Sequence, residues 1–133
     1  MSDLLKKLGP WTELSGRILI ALIFITAGYG KIAGYEGTQA FMESMGVPGA
    51  LLPLVIVTEL GGGLLIAFGL FTRYAAFALA GFTILSGILF HGNTGDQMQQ
   101  IMFMKNLAIA GGFLFLVVHG AGTISLDRRF NRS

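Results

Sequence analysis

Glu59 lies within an apolar run, residues 50–71, in which Thr58 is its only polar companion. About nine residues into the run, it sits roughly 13 Å from the start if the run is a helix rising about 1.5 Å per residue. A carboxylate at that depth in a membrane helix costs about 2.5 to 3.5 kcal/mol, so it must face other protein, take up a proton or find a cation. Candidates stand at the ends of the other apolar runs. Lys31 closes the run 15–33, His91 follows the run 74–90, and Lys105 with Asn106 falls near the entry of the run 101–118. If successive runs alternate in direction, Lys31, Glu59, His91, Lys105 and Asn106 meet in one half of a bundle. In that polar pocket Glu59 and His91 are a titratable pair able to relay protons, and the pocket could hold a quinone headgroup. The lysines would position an anionic or carbonyl oxygen. The plainer alternative is a Lys31–Glu59 ion pair that fixes helix register, with His91 as a helix-end residue that touches water. The residue types alone leave both open.

A second polar set, Arg17, Arg73, His119, Ser125 and Asp127, falls toward the opposite end. An Asp127 partner for Arg17 or Arg73 would tie the tail to the bundle. Otherwise the arginines are ordinary anchors that snorkel to the headgroups. No metal centre is expected, because the two histidines fall at opposite ends and no two acids stand at i, i+3 or i+4 within a run. A transmembrane haem is disfavoured on the same ground. The chain has no cysteine, which removes disulfides, thiolate ligands and dithiol chemistry. No glycine-rich phosphate loop, nucleophile elbow or zincin motif is found.

Four membrane helices must position these residues. Of 133 residues 53% are hydrophobic and 12% charged, against the roughly one-quarter charged share of soluble domains. With a mean hydropathy of +0.72 there are too few charges to cover a water-facing exterior. The runs at about 15–33, 50–71, 74–90 and 101–118 approach or reach the roughly 20 residues that cross a bilayer core. The first continues to spanning length, so it reads as an uncleaved span and not as a signal peptide. A turn of three residues at 71–73 forces the second and third spans to pair as a hairpin. The connector 34–49 is polar, with a short amphipathic stretch around 38–45 whose Phe41, Met42 and Met45 can rest in the interface. The expected fold class is all-α, an integral membrane antiparallel four-helix bundle formed by a single domain over residues 1–133.

Small residues at helical spacing, Gly63 with Ala67, Ala76 with Ala80 and Ala108 with Gly112, suit close helix packing. Trp11, Tyr29, Tyr35 and Tyr74 suit interface belts. Lys6, Lys7, Arg17, Arg73, Arg128, Arg129 and Arg132 share one side of such a bundle, with only Lys31 and Lys105 on the other. That bias predicts a multi-pass inner-membrane protein with both termini cytoplasmic. The scattered positive residues form no nucleic-acid footprint.

An ordered set of motifs is recognisable across nearly the whole chain. It comprises Gly16-Arg17, Ala27-Gly28-Tyr29-Gly30-Lys31, Thr58-Glu59-Leu60-Gly61-Gly62-Gly63 and Gly69-Leu70-Phe71-Thr72-Arg73. His91, Lys105-Asn106 and Gly120-Ala121-Gly122-Thr123-Ile124-Ser125-Leu126-Asp127 follow. Together they resemble the DoxX family. That resemblance implies a small four-helix inner-membrane protein, linked by association to quinone-dependent oxidoreductases and to complexes that handle oxidative or thiol stress. Arg17, Lys31, Glu59, His91, Lys105 and Asp127 carry over as family-type positions without assigned roles, and the absence of cysteine argues against thiol exchange. The resulting expectation is a component, such as an oxidoreductase subunit, of a quinone-linked membrane oxidoreductase system, with quinone as the cofactor and membrane redox proteins beside the lipid bilayer as partners. The competing expectation is a non-catalytic scaffold or accessory subunit that docks a partner. A small-solute transporter ranks lower, since four spans without a repeat would need a homo-oligomer to line a path.

Overall fold

The computed structural model describes residues 2–92 and 95–131; Arg132, counted above among the positive residues, lies outside them. The described residues form six helices: α1 (Ser2–Ala33), α2 (Tyr35–Ser44), α3 (Gly49–Phe68), α4 (Thr72–His91), α5 (Gln97–His119) and α6 (Leu126–Arg129). Four of them, α1, α3, α4 and α5, are long and apolar enough to cross a membrane. Their outward faces carry large exposed apolar side chains such as Leu19, Leu54, Phe77 and Phe115. Lipid, not water, is the solvent for such a surface. The fold is an all-α integral membrane bundle.

Neighbouring helices run antiparallel, as paired contacts demonstrate. Gly28 faces Leu60 while Gly63 faces Ile25, so numbering rises along α1 as it falls along α3. Gly87 and Thr83 of α4 meet Asn106 of α5, while Arg73 at the start of α4 reaches Val118 near the end of α5. The bundle therefore has a terminal end, with both chain termini, and a loop end, where α1 meets α2 and α4 leads to α5.

The first helix differs most from its expected span. At 32 residues it is about 48 Å long against a hydrocarbon core of about 30 Å, so its first turns must project beyond that core. Pro10 does not end it, although it leaves the Lys6 carbonyl without its usual donor; the segment is exposed enough for water to serve. The amphipathic stretch is the helix α2, bounded by Gly34 and by Met45-Gly46, where Gly46 adopts φ +81°.

A wedge of small and aromatic residues makes the core. Ala21, Phe24, Ile66, Ala75, Ala76, Leu79, Ala80 and Phe113 form one buried cluster, with the Phe24 and Phe113 rings 5.4 Å apart. Ala76 and Ala80 are buried there as small-residue packing requires, and Gly112 admits Ile20, whereas Ala108 is exposed. On α1 and α3 the backbones nearly touch: a Cβ on Gly28 would lie 2.8 Å from the Leu60 Cβ and 2.9 Å from its amide nitrogen. Toward the loop end α3 and α4 part, and a cavity opens between them.

Candidate functional site

The carboxylate of Glu59 owes its position to an irregular helix. α3 opens with a 3-10 turn at Gly49–Leu51, runs as α-helix through Leu52–Ile56, widens to a π turn at Val57–Gly61 and returns to α at Gly62–Phe68. A π turn places one extra residue in the ladder, and such turns concentrate at functional sites. Glu59 sits within it, 6% exposed. The close approach of α1 at Gly28 and Leu60 brings Lys31, one turn further along α1, alongside. Lys31 Nζ donates to Glu59 Oε1 at 2.6 Å, which answers the cost of a carboxylate at this depth.

The pair borders a cavity of about 440 Å³ at the loop end of the bundle. Lys31, Glu59, His91, Lys105 and Asn106 all line it, so the structure brings together the five residues singled out in the sequence. Each is held differently. Asn106, buried on α5, donates from Nδ2 to the Thr83 carbonyl at 3.1 Å and lies 3.4 Å from Ser86 Oγ. Neither bond uses the Asn106 Oδ1, the acceptor of that side chain. The Nδ1 of His91 lies 2.6 Å from Gln99 Oε1, which ties the end of α4 to the first turns of α5. Lys105 is exposed at the rim.

Sequence reasoning missed three hydroxyl groups in the wall, Thr38, Thr83 and Ser86. Hydroxyls in a membrane helix cost little because they bond their own helix, as Ser86 does to the Thr83 carbonyl at 3.2 Å, so no pattern announces them. Thr83 Oγ1 is nevertheless buried without a protein partner. The rest of the lining is mostly apolar, including Phe24, Phe82, Phe90 and Ile109. Chemically the cavity is a greasy slot with ammonium donors and carboxylate and amide acceptors at one end, able to hold an oxygen-bearing ring and exchange a proton with it.

At the terminal end the second polar set divides the work differently from the expectation. Arg17 does not snorkel: it is 2% exposed, because the tail folds over it. Its guanidinium donates to the Ile124 carbonyl and, at 3.4 Å, to that of Ile66. Asp127 does tie the tail to the bundle, yet through backbone amides and not through a guanidinium. Its carboxylate accepts from Phe71 N at 2.7 Å and Thr72 N at 2.9 Å, capping α4 where the helix dipole favours a negative charge. Gly69, φ +70°, lets the chain turn there, and a side chain at that position would strike Arg17 and Ser125. Arg73 serves the neighbouring helix end, donating to the Val118 carbonyl at 2.8 Å. Ser125 caps α6 by accepting from Arg128 N at 3.1 Å. His119 is exposed on the last turn of α5, its ring stacked 6.2 Å from that of Phe115.

Comparison with known proteins follows the same lines. The model of the DoxX family matches residues 13–92. The chain is 55% identical over 128 residues to the inner membrane protein YqjF of Escherichia coli K12, covering 96% of this chain and 98% of that one. It is 41% identical to the inner membrane protein YphA of the same organism, over 90% and 91% of the two chains. A Bacillus subtilis protein named "Putative oxidoreductase CatD" is 31% identical over 71% of this chain and 75% of its own. No solved structure matches the chain.

Proposed function

The chain belongs to the DoxX family, and on that premise, with the loop-end cavity, we propose that it is an inner-membrane component of a quinone-linked oxidoreductase system. One observation carries the reading: a Lys31–Glu59 pair faces a largely apolar cavity that also presents Asn106, Lys105 and His91. Reduction of a quinone takes up two electrons and two protons. Electrons come from a partner oxidoreductase of the membrane, because the chain has no cysteine to carry them. The chain's own share is to seat the ring, to offer Lys31 and Lys105 to its oxygens and to exchange protons through Glu59 and His91. The name of the Bacillus subtilis relative agrees with this class of chemistry. The reading has both termini in the cytoplasm and the cavity in the outer half of the membrane, which the positive residues gathered at the terminal end support.

The test is quinone occupancy. Protein purified in mild detergent is extracted, and its lipids are identified by mass spectrometry for wild type, Glu59→Gln and His91→Ala. Stoichiometric quinone that disappears in folded variants supports the reading. A quinone-free wild type, with variants that are merely less stable, favours the accessory-subunit alternative. That alternative draws its support from the Lys31–Glu59 bond itself, since at 2.6 Å the two charges already satisfy one another without a guest.

A further inference from the structure

The cavity is covered at the loop end by α2, and part of its lining is exposed between the helices. α2 lies across the loop end: the Phe41 ring stacks on Phe90 of α4 with centroids 5.7 Å apart. Met42 is 4% exposed beneath it, and Gln39 Nε2 donates to the Gly49 carbonyl at 3.1 Å, fastening α2 to the start of α3. Below this cover, α3 and α4 diverge. The lining leucines at that divergence, Leu51 and Leu54 on α3 and Leu85 and Leu89 on α4, are all exposed, Leu54 to 63%. A residue that both lines a cavity and faces lipid marks a mouth into the bilayer. Between α1 and α5 the corresponding edge is also open and carries Ile23, itself 42% exposed, but it is flanked by the exposed Lys105, whose charge makes it the poorer route for a hydrocarbon.

We propose that the cavity takes its ligand sideways from the bilayer between α3 and α4. The ligand is an amphiphile whose oxygen-bearing ring seats against Lys31, Glu59 and Asn106 while its hydrocarbon tail stays over Leu54, Leu85 and Leu89. This rests on the quinone reading and narrows it. A quinone without a tail lacks the part the mouth is shaped for, and a water-soluble oxidant would have to pass the Phe41–Phe90 cover or the edge at Lys105. Substrate choice then lies in the leucines of the mouth as well as in the polar end of the cavity.

The experiment uses the full chain in phosphatidylcholine nanodiscs and two probes, a benzoquinone with a two-isoprene tail and the same ring with a methyl group in place of the tail. Affinities are referred to the concentration in the bilayer, so that partitioning does not count as binding. The tailed ring is expected to bind wild type about tenfold more tightly through van der Waals packing of its tail in the mouth, since from within lipid no hydrophobic transfer remains to be gained. Leu54→Trp and Leu85→Trp should weaken the tailed ring by about tenfold and leave the tail-less ring unchanged, whereas Phe77→Trp, a lipid-facing position outside the cavity lining, should alter neither. If Leu54→Trp does not fold, Leu89→Phe narrows the same gap. Equal affinity for both rings, with no response to these substitutions, overturns lateral entry while leaving quinone binding standing. Loss of the tailed ring on Ile23→Trp in place of the leucine variants moves the mouth to α1 and α5 and also overturns it. A wild type that binds neither ring overturns the quinone reading itself.

Discussion

A lysine and a glutamate 2.6 Å apart at the edge of an apolar cavity hold each other's charge where water would otherwise do so. Removing one partner is therefore worse than removing both. Lys31→Met should lower unfolding free energy by about 1–3 kcal/mol, less than for a fully buried pair because the lysine side chain is partly exposed. Lys31→Met combined with Glu59→Gln should recover much of that loss. Thermal unfolding in detergent reads both, and a single variant as stable as wild type would show that the pair holds nothing together. At the other end, Asp127→Ala removes two charge-assisted bonds to the amides that start α4, an expected cost of about 1–3 kcal/mol, while Asp127→Asn should lose less. Accelerated proteolysis of the tail at unchanged helix content is the accompanying sign; a tail equally resistant in both variants would contradict the cap. The Glu59 set was legible in sequence because intramembrane charges are rare and demand a partner. Thr83 was not, because a hydroxyl can bond its own helix and so leaves no imbalance to read.

Elements place these residues through backbone contact, and glycine sets how close two helices come. A Cβ at Gly28 would meet the Leu60 backbone, and one at Gly63 would lie 2.9 Å from Ile25 Cγ1. Gly28→Ala should therefore push α1 from α3, lowering stability by about 1–3 kcal/mol and lengthening the Lys31–Glu59 contact. Gly111→Ala, on α5 with nothing near its added methyl, should be neutral or stabilise by up to about 1 kcal/mol through helix propensity. Side-by-side thermal midpoints check the pair of expectations; equal losses at both sites would refute packing as the cause. The glycine-rich stretch of α3 announced close packing but not which glycine bears it, since the contact depends on a facing residue remote in sequence. The π turn around Glu59 was not read from the sequence: Val57, Thr58 and Gly61 weaken a helix but do not specify a π turn, which packs against α1.

For the molecule as a whole, antiparallel packing followed from short connections, and only the direction of insertion remains to be argued. Direction is decided as the chain enters the membrane, before Arg17 is buried or Arg73 finds its carbonyls, so all of the positive residues at the terminal end count toward it. Lys6, Lys7, Arg17, Arg73, Arg128 and Arg129 stand there, against Lys31 and Lys105 at the loop end. The natural absence of cysteine makes the test clean, because each introduced thiol is the sole target. Ser2→Cys should resist a membrane-impermeant maleimide in cells with a permeabilised outer barrier and react once the inner membrane is opened. Ala40→Cys on the exposed face of α2 and Gln97→Cys at the start of α5 should react without that opening. The inverse pattern would turn the cavity toward the cytoplasm, so that protons exchanged through Glu59 and His91 would be drawn from that side. Labelling of both ends in intact membranes would mean that the chain inserts in both directions. With the expected pattern, the mouth between α3 and α4 opens in the outer leaflet and α2 lies along the outer surface, shielding the Lys31–Glu59 pair from the water nearest to it.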